Sequence, residues 1–133
     1  MKKTLTIIIL MLLLAVPAFA VSTKEPPGGS YKKVSELVAL PDFLPGMGTL
    51  YVNPDTLPVG PFLAYDREGI LVATIYMVPL KDFEQHKAFA GLTVGESKAV
   101  QVDITFNAGH PGVETPHYHI TVWHVKPETA KLK

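Results

Sequence analysis

Two short segments near the C-terminal end of the chain alternate apolar and polar residues with a period of two. In 97–107, Val100, Val102, Ile104 and Phe106 share one parity, and Gln101, Asp103, Thr105 and Asn107 share the other. In 117–125, Tyr118, Ile120 and Val122 fall on one side, with His117, His119, Thr121 and Trp123 opposite. Successive side chains of a strand point to opposite faces, so this pattern fits half-buried strands. The apolar sets are expected to face the core, and a one-residue slip would reverse every side chain. Pairing the two apolar sets places Asp103, Thr105, Asn107, His117, His119, Thr121 and Trp123 together on a polar face.

A second hairpin is expected upstream. Phe62–Tyr65 and Ile70–Val78 are rich in β-branched and aromatic residues, and Asp66-Arg67-Glu68-Gly69 joins them with a glycine near its end. Thr49–Asn53 can form a shorter strand, and Asn53-Pro54-Asp55 and Pro58-Val59-Gly60-Pro61 carry turn chemistry. Ser30 followed by Tyr31, Val34, Leu37 and Val38 predicts a helix over 31–39, with Ser30 as its cap. Asp82 predicts a second short helix through about 88. The Pro- and Gly-rich stretch 41–48 reads as irregular. Its Phe43, Leu44 and Met47, with Leu50, are expected to plug the core, the alternative being an exposed binding patch.

Hairpins without a β-α-β rhythm argue for an α+β fold. The expected architecture is an antiparallel sheet, with hairpins at about 62–78 and 97–125 and one or two short helices. A mostly-β barrel or sandwich is the alternative.

The first twenty residues read as a cleavable signal peptide. Lys2 and Lys3 precede the apolar run Leu5–Val16, and Ala18 and Ala20 form an A-x-A site. The run is shorter than the roughly 20 apolar residues a spanning helix needs. Residues 21–30 contain Pro26-Pro27-Gly28-Gly29 and read as a flexible linker. Residues 31–133 are expected to form one globular domain, secreted or periplasmic after cleavage near Ala20.

Composition removes several function classes. The 12 basic residues balance the 12 acidic ones, and two of the lysines lie in the leader, so there is no electrostatic footprint for nucleic acid or anionic lipid. The chain has no cysteine, so thiol nucleophiles, cysteine-type zinc sites and disulfide staples are excluded. An exported domain of this size must then rely on its core, on a metal or on self-association. There is no G-x-S-x-G elbow, P-loop or G-x-G-x-x-G fingerprint, and Arg67 is the sole arginine.

Histidine is the residue type that points to chemistry. Four of the five, His110, His117, His119 and His124, lie within fifteen positions. His117 and His119 are two apart on a strand, so both imidazoles project from one face and can reach one ion. Asp103 shares that face, and His110, in Gly109-His110-Pro111-Gly112, can swing in from the connecting loop. A divalent transition metal such as zinc suits this donor set. His124 has the opposite parity and is not expected to be a ligand. The competing reading treats the same side chains as ordinary cross-strand neighbours on a solvated face. Glu114 near His117 could form an acid/base pair, but it reads better as a solvated loop residue. A cupin site is not expected, because Ile120-Thr121-Val122-Trp123-His124 lacks the glutamate that such sites place after the H-x-H pair.

A run of short motifs carries a family resemblance over about 42–125. In order these are Gly46-Met47-Gly48, Gly60-Pro61-Phe62-Leu63, Val102-Asp103-Ile104, Gly109-His110-Pro111 and Pro116-His117-Tyr118 with Ile120. The chain resembles an uncharacterised family of exported bacterial domains, the TTHB-like domains of unknown function. The resemblance implies export and a common fold and no known activity. Members tend to carry further histidines where this chain has Leu50 and Thr121. The resulting expectation is an exported binding or assembly module, leaning away from an enzyme. Its partner would be a further copy of itself or a small ligand, with no nucleic acid and no membrane after cleavage. The alternative is a metal-binding protein or metal-dependent enzyme using the His-rich face of the C-terminal hairpin.

Overall fold

Leu71–Pro79 (β5) is the strand on which the rest is built: every residue from Leu71 to Val78 is buried. Its run of Val, Ile, Thr and Tyr suits a pleated strand covered on both faces. The computed structural model describes residues 22–95 and 97–133, so the leader over 1–20 lies outside the described residues. Around β5 lie Lys32–Lys33 (β1), Phe43–Leu44 (β2), Gly48–Val52 (β3), Phe62–Tyr65 (β4), Gln101–Asn107 (β6) and His117–Trp123 (β7). All pairings are antiparallel, in the order β1-β3-β4-β5-β7-β6, with β2 also on β3. The two ends of this order do not meet, so the sheet is open and the barrel alternative is not realised. Among the described residues no helix is long and apolar enough to cross a membrane.

The β4–β5 hairpin forms where expected. Its turn is closed by the Asp66 side chain, whose Oδ1 accepts from the backbone N–H of Glu68 at 2.9 Å and of Ile70 at 3.1 Å. Asn53 does the same for the turn after β3, accepting from Asp55 N–H at 3.1 Å.

The helices differ from expectation. Over 31–39 the chain forms β1 and then a single 3-10 turn, Val34–Glu36. Lys32 and Lys33 pair with Val52 and Tyr51, so the ladder to β3 takes the backbone that a helix would have used. The second helix is Leu80–Glu84 (α1), which begins straight after Pro79 rather than at Asp82. Asp82 sits in its first turn and bonds Lys87 Nζ at 3.2 Å. Residues 22–25 are tied to the sheet: Glu25 N–H donates to Gly69 O, Leu71 N–H to Thr23 O, and the Tyr65 hydroxyl to Ser22 O at 2.7 Å.

The largest correction concerns which face of the C-terminal hairpin is buried. The β6–β7 register pairs Val102 with Val122, Ile104 with Ile120 and Phe106 with Tyr118, so the two apolar sets share a face as expected. Along β6 that face is open, while on β7 Val122 of the same set is buried. Val100 is 46% exposed, Val102 54%, Ile104 66% and Phe106 55%. The main core lies against the other face, where Ala73, Ile75 and Met77 of β5 join Leu50, Val52, Phe62 and Ala64. Val34, Phe43, Leu44, Met47, Val113 and Leu132 cover it, and Trp123 packs against it from β7. Leu50 is thus a core residue, its burial stabilising by about 1.5–3 kcal/mol, and Phe43, Leu44 and Met47 pack against the core partly buried. On the opposite face α1 and the segment after it reach β5 and β7, through Tyr76 to Thr93 O and Phe83 to Tyr118, and leave Val102, Ile104 and Phe106 of β6 exposed.

Candidate metal centre

The inward turn of the polar face decides the site. β7 opens with His117, paired with Pro79 on one side and Asn107 on the other. His119 follows two residues on and projects from the same face. His117 is completely buried, and His119 is half-buried. The loop 108–116 folds over this face and returns through a tight turn. His110 N–H donates to Val113 O and Val113 N–H to His110 O, both at 2.9 Å, with Pro111-Gly112 between them. Gly112 takes φ +89°, the left-handed value that the second central position of such a turn requires. Gly109, at φ +131°, passes so close to Glu114 that an added Cβ would lie 2.5 Å from its carbonyl oxygen. These two glycines fold the loop back and bring His110 over the strand.

Three imidazoles converge there. Nε2 of His117 lies 2.9 Å from Nε2 of His119 and 3.2 Å from Nε2 of His110, and the third side of the triangle is 3.3 Å. His110, His117 and His119 are a group able to hold a metal ion. A divalent ion held by these three Nε2 atoms would have three protein ligands and a further coordination position open.

The second nitrogens of two rings are already engaged. His117 Nδ1 lies 2.7 Å from Thr115 O and His110 Nδ1 lies 3.0 Å from Pro111 O. A carbonyl oxygen only accepts, so each Nδ1 carries the proton. In the neutral rings both Nε2 atoms then present lone pairs, toward one another across 3.2 Å. His119 can donate one Nε2–H to one of them, and the contact between His110 and His117 remains lone pair against lone pair. A cation at the centre removes that conflict. Orientation of a ligating imidazole by a carbonyl on its other nitrogen is the usual arrangement in metal sites. Burial, with His117 and His110 alongside, pushes His119 down to about 4, so its ring is neutral at pH 7.

Asp103 is not brought into this cluster. It pairs with Thr121, one inward-facing position further along β7 than His119. Its carboxylate accepts from Trp123 Nε1 and Gln101 Nε2, both at 2.8 Å. His124 faces away, as its parity requires, with Nε2 2.8 Å from Thr74 Oγ1 and Nδ1 3.1 Å from Lys98 O. Glu114 is exposed.

A cavity of about 380 Å³ borders the triad, with His110, His119 and Asn107 in its wall. The rest of the described lining is apolar, from β3, β4 and β5, from the stretches 34–40 and 44–47, and from the loop 111–113. Nothing in the alternation of Asn107 or in the scattered Val34, Leu37 and Val38 signalled a shared cavity, because these residues meet only across the fold.

The chain is similar to a solved structure, that of the hypothetical protein TTHB210 from Thermus thermophilus. The identity is 46%, covering 66% of this chain and 81% of that one, with a TM-score of 0.59. This chain belongs to the TTHB210 family. No protein-family model and no curated protein matches it. Membership of the TTHB210 family agrees with the resemblance read from the short motifs, and the name TTHB210 carries no activity with it.

Proposed function

We propose that this protein is an exported metal-binding protein whose ion is held by Nε2 of His110, His117 and His119. The observation that carries this reading is the pair of lone-pair-bearing Nε2 atoms 3.2 Å apart, each fixed by a carbonyl on its other nitrogen. Three neutral imidazoles suit Zn²⁺, and equally Cu²⁺ or Ni²⁺. The test is metal analysis of the untagged mature chain after dialysis against Zn²⁺, beside a His117→Ala/His119→Ala variant. About one ion per chain, absent from a folded variant, supports the reading, and a metal-free wild-type chain ends it.

Export rests on the charge, apolar run and A-x-A order of the first twenty residues. A secreted chain beginning at Val21 is the expected product, and one that keeps Met1 would exclude cleavage.

A second reading, assembly with further copies of itself, is favoured by the apolar stripe on the edge strand β6. Edge strands with exposed apolar faces usually carry charges or proline as protection, whereas the outer face of β6 presents Val102, Ile104 and Phe106. Light scattering should give a mass above that of one chain, and Ile104→Asp should lower it. A monomeric wild-type protein sinks this reading and leaves the metal site untouched.

A further inference from the structure

The cavity beside the triad has walls of one character and a single polar end. Leu37, Met47, Phe62 and Met77 are among its apolar lining, and among the described residues Asn107, His110 and His119 are its only polar lining. Among the described residues no lysine, arginine, aspartate or glutamate lines it. A volume of about 380 Å³ lies in the range of small-molecule sites, which run to roughly 300–1,000 Å³.

The charge of the site restricts what can enter. Three neutral imidazoles leave a bound divalent ion with its full positive charge, in surroundings that are mostly apolar. The nearest carboxylate on the same face, Asp103, is already engaged by Trp123 and Gln101. An uncompensated charge in such surroundings favours an anionic ligand at the open coordination position. The apolar walls favour a hydrocarbon body behind that donor.

We propose that the cavity binds a small monocarboxylate with an apolar body, its carboxylate on the triad's metal and its hydrocarbon part among Met47, Phe62 and Met77. This rests on the metal reading above and goes further by naming the ligand class. Asn107 supplies the polar group beside the head.

The test uses the mature chain loaded with Co²⁺, whose visible bands report its coordination, and octanoate and acetate as probes. Octanoate should change the bands saturably. Acetate carries the same donor without the body and should need at least about 100-fold higher concentration, since each buried methylene adds severalfold to affinity. Met47→Trp, which fills the cavity without touching a histidine, should keep the cobalt bands and lose the octanoate response. Leu37→Trp, at the exposed rim, serves in its place if that variant does not fold. Absence of cobalt bands defeats the metal reading and this one together. Cobalt bands that ignore octanoate, or that respond equally to acetate, overturn the ligand class alone. An octanoate response that survives both tryptophan variants also overturns it, by placing the hydrocarbon elsewhere.

Discussion

Replacing His117 and His119 together by alanine is expected to abolish stoichiometric Zn²⁺ binding and the thermal stabilisation that comes with it. An ion bound only by the folded state stabilises by about 2.7 kcal/mol at a free concentration one hundred times its Kd. For a domain of this size that raises the thermal midpoint by roughly 10 °C. Loss of even an outer-shell partner lowers metal affinity by about 10–100-fold, so loss of two ligands should exceed 100-fold. Scans of the wild-type chain with Zn²⁺ and with EDTA should therefore differ by several degrees, and scans of the double variant should coincide. The buried position of His117 leaves a void when truncated, so the variant's EDTA scan falls below that of the wild type. The comparison of interest is the Zn²⁺-minus-EDTA difference within each protein. A Zn²⁺ shift of equal size in wild type and variant would place the ion away from the triad.

Gly48→Ala is the second substitution expected to have a large effect. Gly48 opens β3 at φ +93°, a value L side chains rarely adopt. An added Cβ would overlap the carbonyl oxygen of Tyr65 and lie 3.1 Å from Leu132 Cδ2. The obstacle is backbone, held by the pairing of Thr49 with Tyr65, and cannot swing aside as a side chain would. Strain and overlap together should cost about 2–4 kcal/mol. The urea midpoint should fall accordingly, with the thermal midpoint lower by about 10 °C or more. A midpoint within about 2 °C of wild type would mean that β3 and β4 can separate at this point without cost.

The exposed face of β6 shows how far local pattern reaches. Alternation placed Val102, Ile104 and Phe106 on one face and the histidine pair on the other, and the β6–β7 register agrees residue by residue. Alternation also implied that the apolar face is the buried one, and here it misled. A strand's own pattern states only that its two faces differ. Which face is covered depends on where the loops and the C-terminal tail come to rest. In this chain Val113 and Leu132 lie over the histidine side, and the segment that crosses the other side leaves Val102, Ile104 and Phe106 of β6 exposed.

The same division holds at the metal centre. His117 and His119 were legible as a pair because a spacing of two on a strand sets direction by covalent geometry. His110 was legible as a nearby candidate, while its place in the triangle depends on the Pro111-Gly112 turn and the close passage of Gly109 against Glu114. Asp103 shared the right face and still stands apart, since Trp123 and Gln101 hold its carboxylate. The helix expected over 31–39 was read from spacing and a Ser30 cap, both local signals, and pairing of Lys32–Lys33 with β3 overrode it.

Side-chain parity, the β4–β5 and β6–β7 hairpins, the absence of cysteine chemistry and the identity of two candidate ligands follow from the sequence by itself, because each depends on neighbours along the chain. Tertiary structure alone decided which sheet face is core, the third imidazole, the tautomers set by Thr115 and Pro111 carbonyls, and the apolar cavity beside them. Each of these is made by groups distant in sequence or by the path of a loop, and no local periodicity encodes where such groups meet.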